Sequence, residues 1–369
     1  MKTKDKGAKY SAIVGIGEKI KKIEVETNEE YLKLNRGVNM VINMDLSKVI
    51  PQIDFNSDEI QVYPPNSGIF SLRKAINDDY FNSQSSEDNI FVVNGGMSGL
   101  DLIMKTLDIK KLYHSEFYWG AYKNIMKIND IEQGTYPSYE SIYDNLEDYK
   151  GNALIICDPN NPIGNKYSDE KLLDIIKVLS DNDVTVIIDC PYRRLFIDDN
   201  SFYIKLLELD NVIINESFSK RMSLSGQRIG FVHSKNKEFN NMLNINILFS
   251  TNGINAFSQV LIQRILTTKE GIESMEHFKT MTKEHIMNNI KYLIDNNLLA
   301  DEFYTNSVPM GIFVIVKPSS EKLLSHKIGS VSLSYFTPNQ EVINKNYSRI
   351  CVSVDHSKFV KYFDEILND

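Results

Sequence analysis

Only three cysteines occur in the chain, at positions 157, 190 and 351, far apart and each in or beside an apolar run. An odd, scattered set without a CxxC pair excludes a disulfide framework and fits buried thiols in a reducing compartment. Histidine is scarce as well: the six residues show no metal-ligand spacing, so no metal site is expected. No stretch approaches about 18 consecutive apolar residues, which excludes a spanning helix. The lysine-rich start is not followed by the apolar core of a signal peptide. Positive charge is the minority, with 41 Lys and Arg against 49 Asp and Glu and a net charge of -8. No basic face is evident, so nucleic acid and anionic membranes are poor partners. Internal repeats are absent too, which rules out a uniform solenoid. What remains is ordinary globular composition, 42% hydrophobic and 24% charged over 369 residues, expected in the cytoplasm and long enough for two domains.

Residues 1–45 mix Lys, Glu and Asn with short apolar pieces, and predict an N-terminal arm with one short helix near 29–34. Gly15-Ile16-Gly17 is like the start of a dinucleotide fingerprint, but it lacks the third glycine and a strand-turn-helix frame. A Pro/Asn/Gly turn at 63–68 leads into helical spacing over 69–80. The apolar strand 90–93 then runs into Asn94-Gly95-Gly96-Met97-Ser98-Gly99 and a helix over 100–107. A glycine turn opening a helix leaves free N–H groups at the positive end of its dipole, which suits an anion. Further strands are expected at 112–114, 153–157, 184–189, 212–214 and 228–232, with helices at 119–128 and 168–179. Near-continuous Val/Ile runs separated by helices predict an α/β fold, a mainly parallel sheet covered by helices on both faces. Ligands of such sheets sit beyond the carboxyl ends of the strands, where Asn94, Asn161, Asp189 and Ser217 all fall. After about residue 245 the order changes to helices (255–266, 272–294) followed by strands (311–316, 350–354) and a last helix (359–367). The expected plan is therefore an arm, 1–45, packing with a smaller α+β domain, 246–369, beside a large domain, 46–245.

One stretch gathers reactive groups. Asn215-Glu216-Ser217-Phe218-Ser219-Lys220 leaves a strand, and Ser225-Gly226-Gln227-Arg228 leads into the next. A lysine, several hydroxyls and an arginine are thus delivered to a loop at the sheet edge. Taken in order, Tyr63…Gly68, Gly95-Gly96-Met97, Asn161-Pro162-Ile163-Gly164, Asp189-Cys190-Pro191-Tyr192, Ser217-Phe218-Ser219-Lys220…Arg228 and Arg349 resemble the class I/II aminotransferases, fold type I pyridoxal-phosphate enzymes, over residues 60 to 355.

That resemblance implies an activity and a site. Lys220 would form the internal aldimine with pyridoxal 5′-phosphate and shuttle the substrate Cα proton. Asp189 would keep the pyridine nitrogen protonated, and Tyr192 and Asn161 would face the ring hydroxyl. Gly96, Met97, Ser217 and Arg228 would hold the phosphate, and Trp119, or Tyr118 in its stead, would stack on the ring. Arg349 would clamp the substrate α-carboxylate beside Asn161. Tyr63 would reach the neighbouring site of a homodimer. The implied reaction moves an amino group from an amino acid to a 2-keto acid; a lyase, decarboxylase or oxidase on the same fold is the alternative. A non-enzymatic regulator module is a distant third, since no DNA-binding extension precedes residue 60 and the charge balance is acidic. The chain departs from the family pattern in three places: no proline before the stacking aromatic, Ile163 where threonine is common, and Arg193-Arg194 after Tyr192. The arm, 35–44, carries no recognisable substrate-loop pattern.

Overall fold

The computed structural model describes residues 1–368, with every side chain among them but that of Ala12. Its centre is a seven-stranded sheet of β1 (Ile90–Val93), β2 (Lys111–Ser115), β3 (Glu132–Tyr136), β4 (Ala153–Cys157), β5 (Thr185–Asp189), β6 (Val212–Ser217) and β7 (Gly230–Ser234). The strand order is β1-β7-β6-β5-β4-β2-β3. Neighbours from β6 to β3 are parallel, and β7 alone runs antiparallel to both β1 and β6. Alternate residues of a strand face opposite sides. Leu154, Ile156, Val186, Ile188 and Ile214 accordingly enter one core, while Ile155, Ile187 and Ile213 enter the other. Both faces are covered, which is why these strands read as unbroken apolar runs.

Strand β3 was not anticipated, for a physical reason. It is the edge strand, and only Gly134 and Tyr136 of Glu132-Gln133-Gly134-Thr135-Tyr136 are buried. Gly134 is there because a Cβ would lie 2.4 Å from the Tyr113 ring.

The arm is corrected. A 16-residue helix, Ala12–Thr27, occupies the segment expected to be irregular, and the predicted helix near 29–34 is instead the strand Leu32–Lys33, parallel to Ile328–Gly329. Ile13, Ile16 and Ile20 supply a stripe at i, i+3 and i+7, and Ile20 is fully buried. Gly15 and Gly17 lower the local helix propensity and obscured that stripe. They lie within a helix, so they form no nucleotide-binding turn. A second unanticipated helix, Lys237–Thr251, runs through residue 245, so the chain there continues on a helix without a linker.

The smaller sheet pairs Phe313–Val316 and Val331–Ser332 with Ser348–Cys351, all antiparallel. The long helix Lys269–Asp295 and the helix His356–Leu367 pack together beside it. The arm is stitched to this part by its strand pair, by a Met40–Val354 bridge and by the Cys351 N–H donating to Leu34 O at 2.8 Å. Among the described residues no helix is long and apolar enough to cross a membrane.

Beneath the loop after β6 lies a buried ion pair. Both terminal nitrogens of Arg221, Nη1 and Nη2, engage Asp79, Nη2 at 2.9 Å from Oδ1, and the guanidinium lies over the Tyr80 ring. Arg194 joins them, donating to Asp79 O at 2.9 Å. Removing one partner would leave the other charge buried and unpaired. Asp79→Ala is expected to cost about 3 kcal/mol of stability, read as a lowered midpoint in urea unfolding; an unchanged midpoint would show that the pair does not hold the loop.

Candidate active site

The carboxyl ends of the parallel strands, with the start of antiparallel β7, open onto one cleft of about 470 Å³. Each strand delivers a group by ending where it does. Strand β1 gives way to Gly95 and the helix Gly96–Thr106, β4 leads to Asn161, β5 ends on Asp189, β6 ends on Ser217, and Arg228 precedes β7. Gly96, Met97, Trp119, Asn161, Asp189, Tyr192, Ser217, Lys220, Arg228 and Arg349 all line the cleft. Of the residues named from sequence for the site, Tyr63 and the alternative stacking residue Tyr118 stand apart. Tyr63 is the more remote. It is 83% exposed and lies against Pro64 and Asn252 in a separate hollow.

One end of the cleft is built for an anion. The helix Gly96–Thr106 starts with no side-chain cap, so its first N–H groups are free. Ser217 Oγ caps Ser219 N at 3.3 Å beside it. Arg228 leans over Gly95, where an added Cβ would come within 2.8 Å of Nη2; Gly95 has φ 80°, so both space and backbone require glycine there.

Asp189 sits at the floor, 4% exposed. Burial pushes its carboxyl up and two donors pull it partway back, Tyr122 OH at 2.5 Å from Oδ2 and Asn215 Nδ2 at 2.8 Å from Oδ1, for a net value of about 6. It is therefore ionised at neutral pH. Sequence reasoning missed both donors, although each left a signal. Tyr122 is one helical turn after Trp119, and Asn215 is two residues before Ser217, on the same face of β6. Asn215 Nδ2 also reaches Gly96 O at 3.1 Å, which ties the carboxylate to the anion end.

Tyr192 OH accepts from Asn161 Nδ2 at 3.1 Å, and Asn161 Oδ1 accepts from Arg349 Nη1 at 2.9 Å. Arg349 is 1% exposed and lies between the Phe313 and Phe336 rings, 4.0 and 4.5 Å from their centroids. Burial draws it down to about 10, still charged at neutral pH. Its Nε is buried without a hydrogen-bond partner. Trp119 is half-buried on the cleft wall, whereas Tyr118 is packed on the His114 ring away from it.

The departures from the family pattern resolve into packing. Tyr118 N donates to Phe336 O at 3.1 Å, a bond proline could not make. Ile163 is buried, with its carbonyl accepting from Tyr304 OH. Arg193 is fully buried against Asp158, 2.8 Å, and Arg194 against Asp198 O, 2.6 Å. The arm supplies residues that the sequence did not mark: Arg36, Gly37 and Val38 line the cleft. Lys220 Nζ donates to Gly37 O and Arg349 Nη2 to Asn35 O at 2.8 Å.

The arrangement offers an amine, an anion cup at one end, a carboxylate at the floor and a second cation opposite. Among the described residues no group of three or more His, Cys, Asp or Glu is placed for a metal. Lys220 is depressed to about 8 chiefly by burial, with Arg228, Arg349 and Arg36 adding to the effect. The uncharged, nucleophilic form, still a minority at pH 7, is therefore far more populated than for an ordinary lysine.

A family model for aminotransferase class I and II matches residues 30–364. Histidinol-phosphate aminotransferase from Brachyspira hyodysenteriae is 26% identical over 324 residues, 81% of this chain and 89% of that protein. The enzyme of the same name from Methanocaldococcus jannaschii is 26% identical over 65% of this chain and 61% of its own length. Aspartate aminotransferase from Thermus thermophilus, solved with maleate, shares the fold with a TM-score of 0.80 at 18% identity, covering 99% of this chain and 100% of that one. A Methanococcus jannaschii protein described as similar in its active site to kynurenine aminotransferases gives 0.82 at 20% identity, with both chains fully covered.

The depressed amine has a direct readout. In protein free of bound small molecules, labelling of Lys220 by an amine-reactive aldehyde, located by peptide mapping, should reach half its plateau rate near pH 8. A midpoint near the ordinary lysine value would contradict the burial argument.

Proposed function

The chain belongs to the aminotransferase class I and II family, and from that membership we propose that it works with pyridoxal 5′-phosphate, with Lys220 as the covalent amine. The protein is a transaminase, moving an amino group between an amino acid and a 2-keto acid. The observation that carries the cofactor assignment is convergence: residues from five strand ends meet in one cleft, with the buried amine between an anion cup and a carboxylate.

The donor set fits the group. The cup of Gly96 and Met97 N–H, Ser217 hydroxyl and Arg228 guanidinium suits a phosphate dianion. Asp189, held ionised by Tyr122 and Asn215, suits a pyridine nitrogen that must keep its proton. Asn161 and Tyr192 present an amide and a hydroxyl to the ring oxygen, and Trp119 offers a flat wall. When bound, pyridoxal phosphate supplies an electron sink for the charge left on a deprotonated Cα.

The remaining work falls to the chain's own side chains. Arg349 binds the substrate α-carboxylate through its planar fork, oriented by Asn161 and the two flanking rings. That contact fixes the direction in which Cα–H points. Lys220 Nζ, with a proton affinity suited to neutral pH, takes the Cα proton and holds it for return on the next step. Tyr63, exposed and outside its own cleft, would serve the neighbouring site of a homodimer.

Mixing the purified, cofactor-loaded protein with amino acids one at a time tests the assignment. A matching donor should convert the visible cofactor band to near-ultraviolet absorbance, with one keto acid formed per site, and Lys220→Ala should lose the visible band from the start. Ammonia or carbon dioxide release without that conversion would overturn transamination; an unaltered visible band in Lys220→Ala would overturn the role of Lys220.

A further inference from the structure

The cleft holds one cation to which the preceding reading gives no task. Arg36 lines it with Lys220, Arg228 and Arg349, yet among the described residues its side chain makes no ion pair and no hydrogen bond. Acids near it are engaged elsewhere. Glu18, which shares the outer cleft with Arg36, accepts from Tyr10 OH at 3.1 Å, and Glu24 pairs with Lys33 at 2.8 Å.

The position of Arg36 is fixed by its neighbours. Asn35 O accepts from Arg349 and Gly37 O from Lys220, so the Arg36 backbone is held between the α-carboxylate clamp and the reacting amine. A side chain that leaves the chain at that point borders the cleft beside both groups. Its charge is felt at Lys220, whose proton affinity it helps to lower. Charge balance points the same way. A phosphate dianion would answer Arg228 and an α-carboxylate would answer Arg349, while among the described residues Asp189 is the one carboxylate lining the cleft. Among the described residues Arg36 is left without an ion-pair partner, exposed where it borders the cleft and within reach of an anion entering it.

We propose that the amino or keto substrate carries a second anionic group on its side chain and that Arg36 binds it. The proposal rests on the transaminase reading above, with Arg349 taking the α-carboxylate. Ile13 and Val14 flank the same opening, so the segment between the two anionic groups is apolar where it meets the arm. A carboxylate and a phosphate ester both suit a guanidinium fork, and the test separates them.

Non-reacting acids bind without turnover, so affinity can be read directly. Butyrate, glutarate and 3-phosphonopropionate would be titrated calorimetrically into the cofactor-loaded protein and into its Arg36→Met and Arg36→Lys variants. In the unaltered protein one diacid should bind roughly tenfold more tightly than butyrate, and the tighter of the two identifies the group. Arg36→Met should bring that ratio close to one, and Arg36→Lys should keep part of it. Equal affinities in the unaltered protein, or a ratio that survives Arg36→Met, would overturn the proposal. Protein that carries a normal visible cofactor band but shows no ratio refutes this inference alone; protein that cannot be loaded refutes the reading beneath it.

Discussion

An ammonium group withdrawn from water loses most of its solvation, and the structure responds to that cost at Lys220 by making the neutral amine accessible. Burial lowers its proton affinity to about 8, and three arginines around the cleft push in the same direction. The same arginines line the cleft, so the groups that lower the proton affinity of the amine also border the space it faces. The Gly37 carbonyl accepts a hydrogen bond from Lys220 Nζ, which ties the arm to the centre of the site.

Everything beneath Lys220 keeps that geometry rigid. Strand β6 carries Asn215, Glu216 and Ser217 into the site fully buried. Asn215 spans from the Asp189 carboxylate to Gly96 O, so the floor and the anion cup are set by one side chain. Its approach needs glycine at position 99, where a Cβ would come within 2.1 Å of Asn215 Oδ1. Glu216 faces the other way, its carboxyl raised to about 8 by burial, accepting from Tyr203 OH at 2.8 Å and Ser217 N at 3.0 Å. A neutral acid there brings hydrogen bonding without another charge. Asn161, between Tyr192 and Arg349, joins the large sheet to the small one at the substrate end.

Much of this was legible because two constraints write themselves into sequence. Strands buried on both faces must be apolar throughout, so β4, β5 and β6 stood out, and the loop that follows each carried a distinctive polar residue at a fixed offset. Edge strand β3 and helix Lys237–Thr251, half wet and rich in Glu, Gln or Asn, did not stand out. The helix Ala12–Thr27 hid its isoleucine stripe behind two glycines and six charged residues. The site was legible where one residue does one task from one strand end. Tyr122 and Asn215 act through Asp189, and Arg36 is brought in by a segment whose pairing partners lie about 300 residues away. No local pattern could signal those contacts.

The central claim is that this one buried amine is the covalent anchor. Loading the protein with pyridoxal phosphate, reducing it with borohydride and mapping peptides by mass spectrometry tests it most directly. The account predicts one stable pyridoxyl adduct per chain, on the peptide containing Lys220. An adduct on another lysine, with Lys220 unmodified, would contradict it.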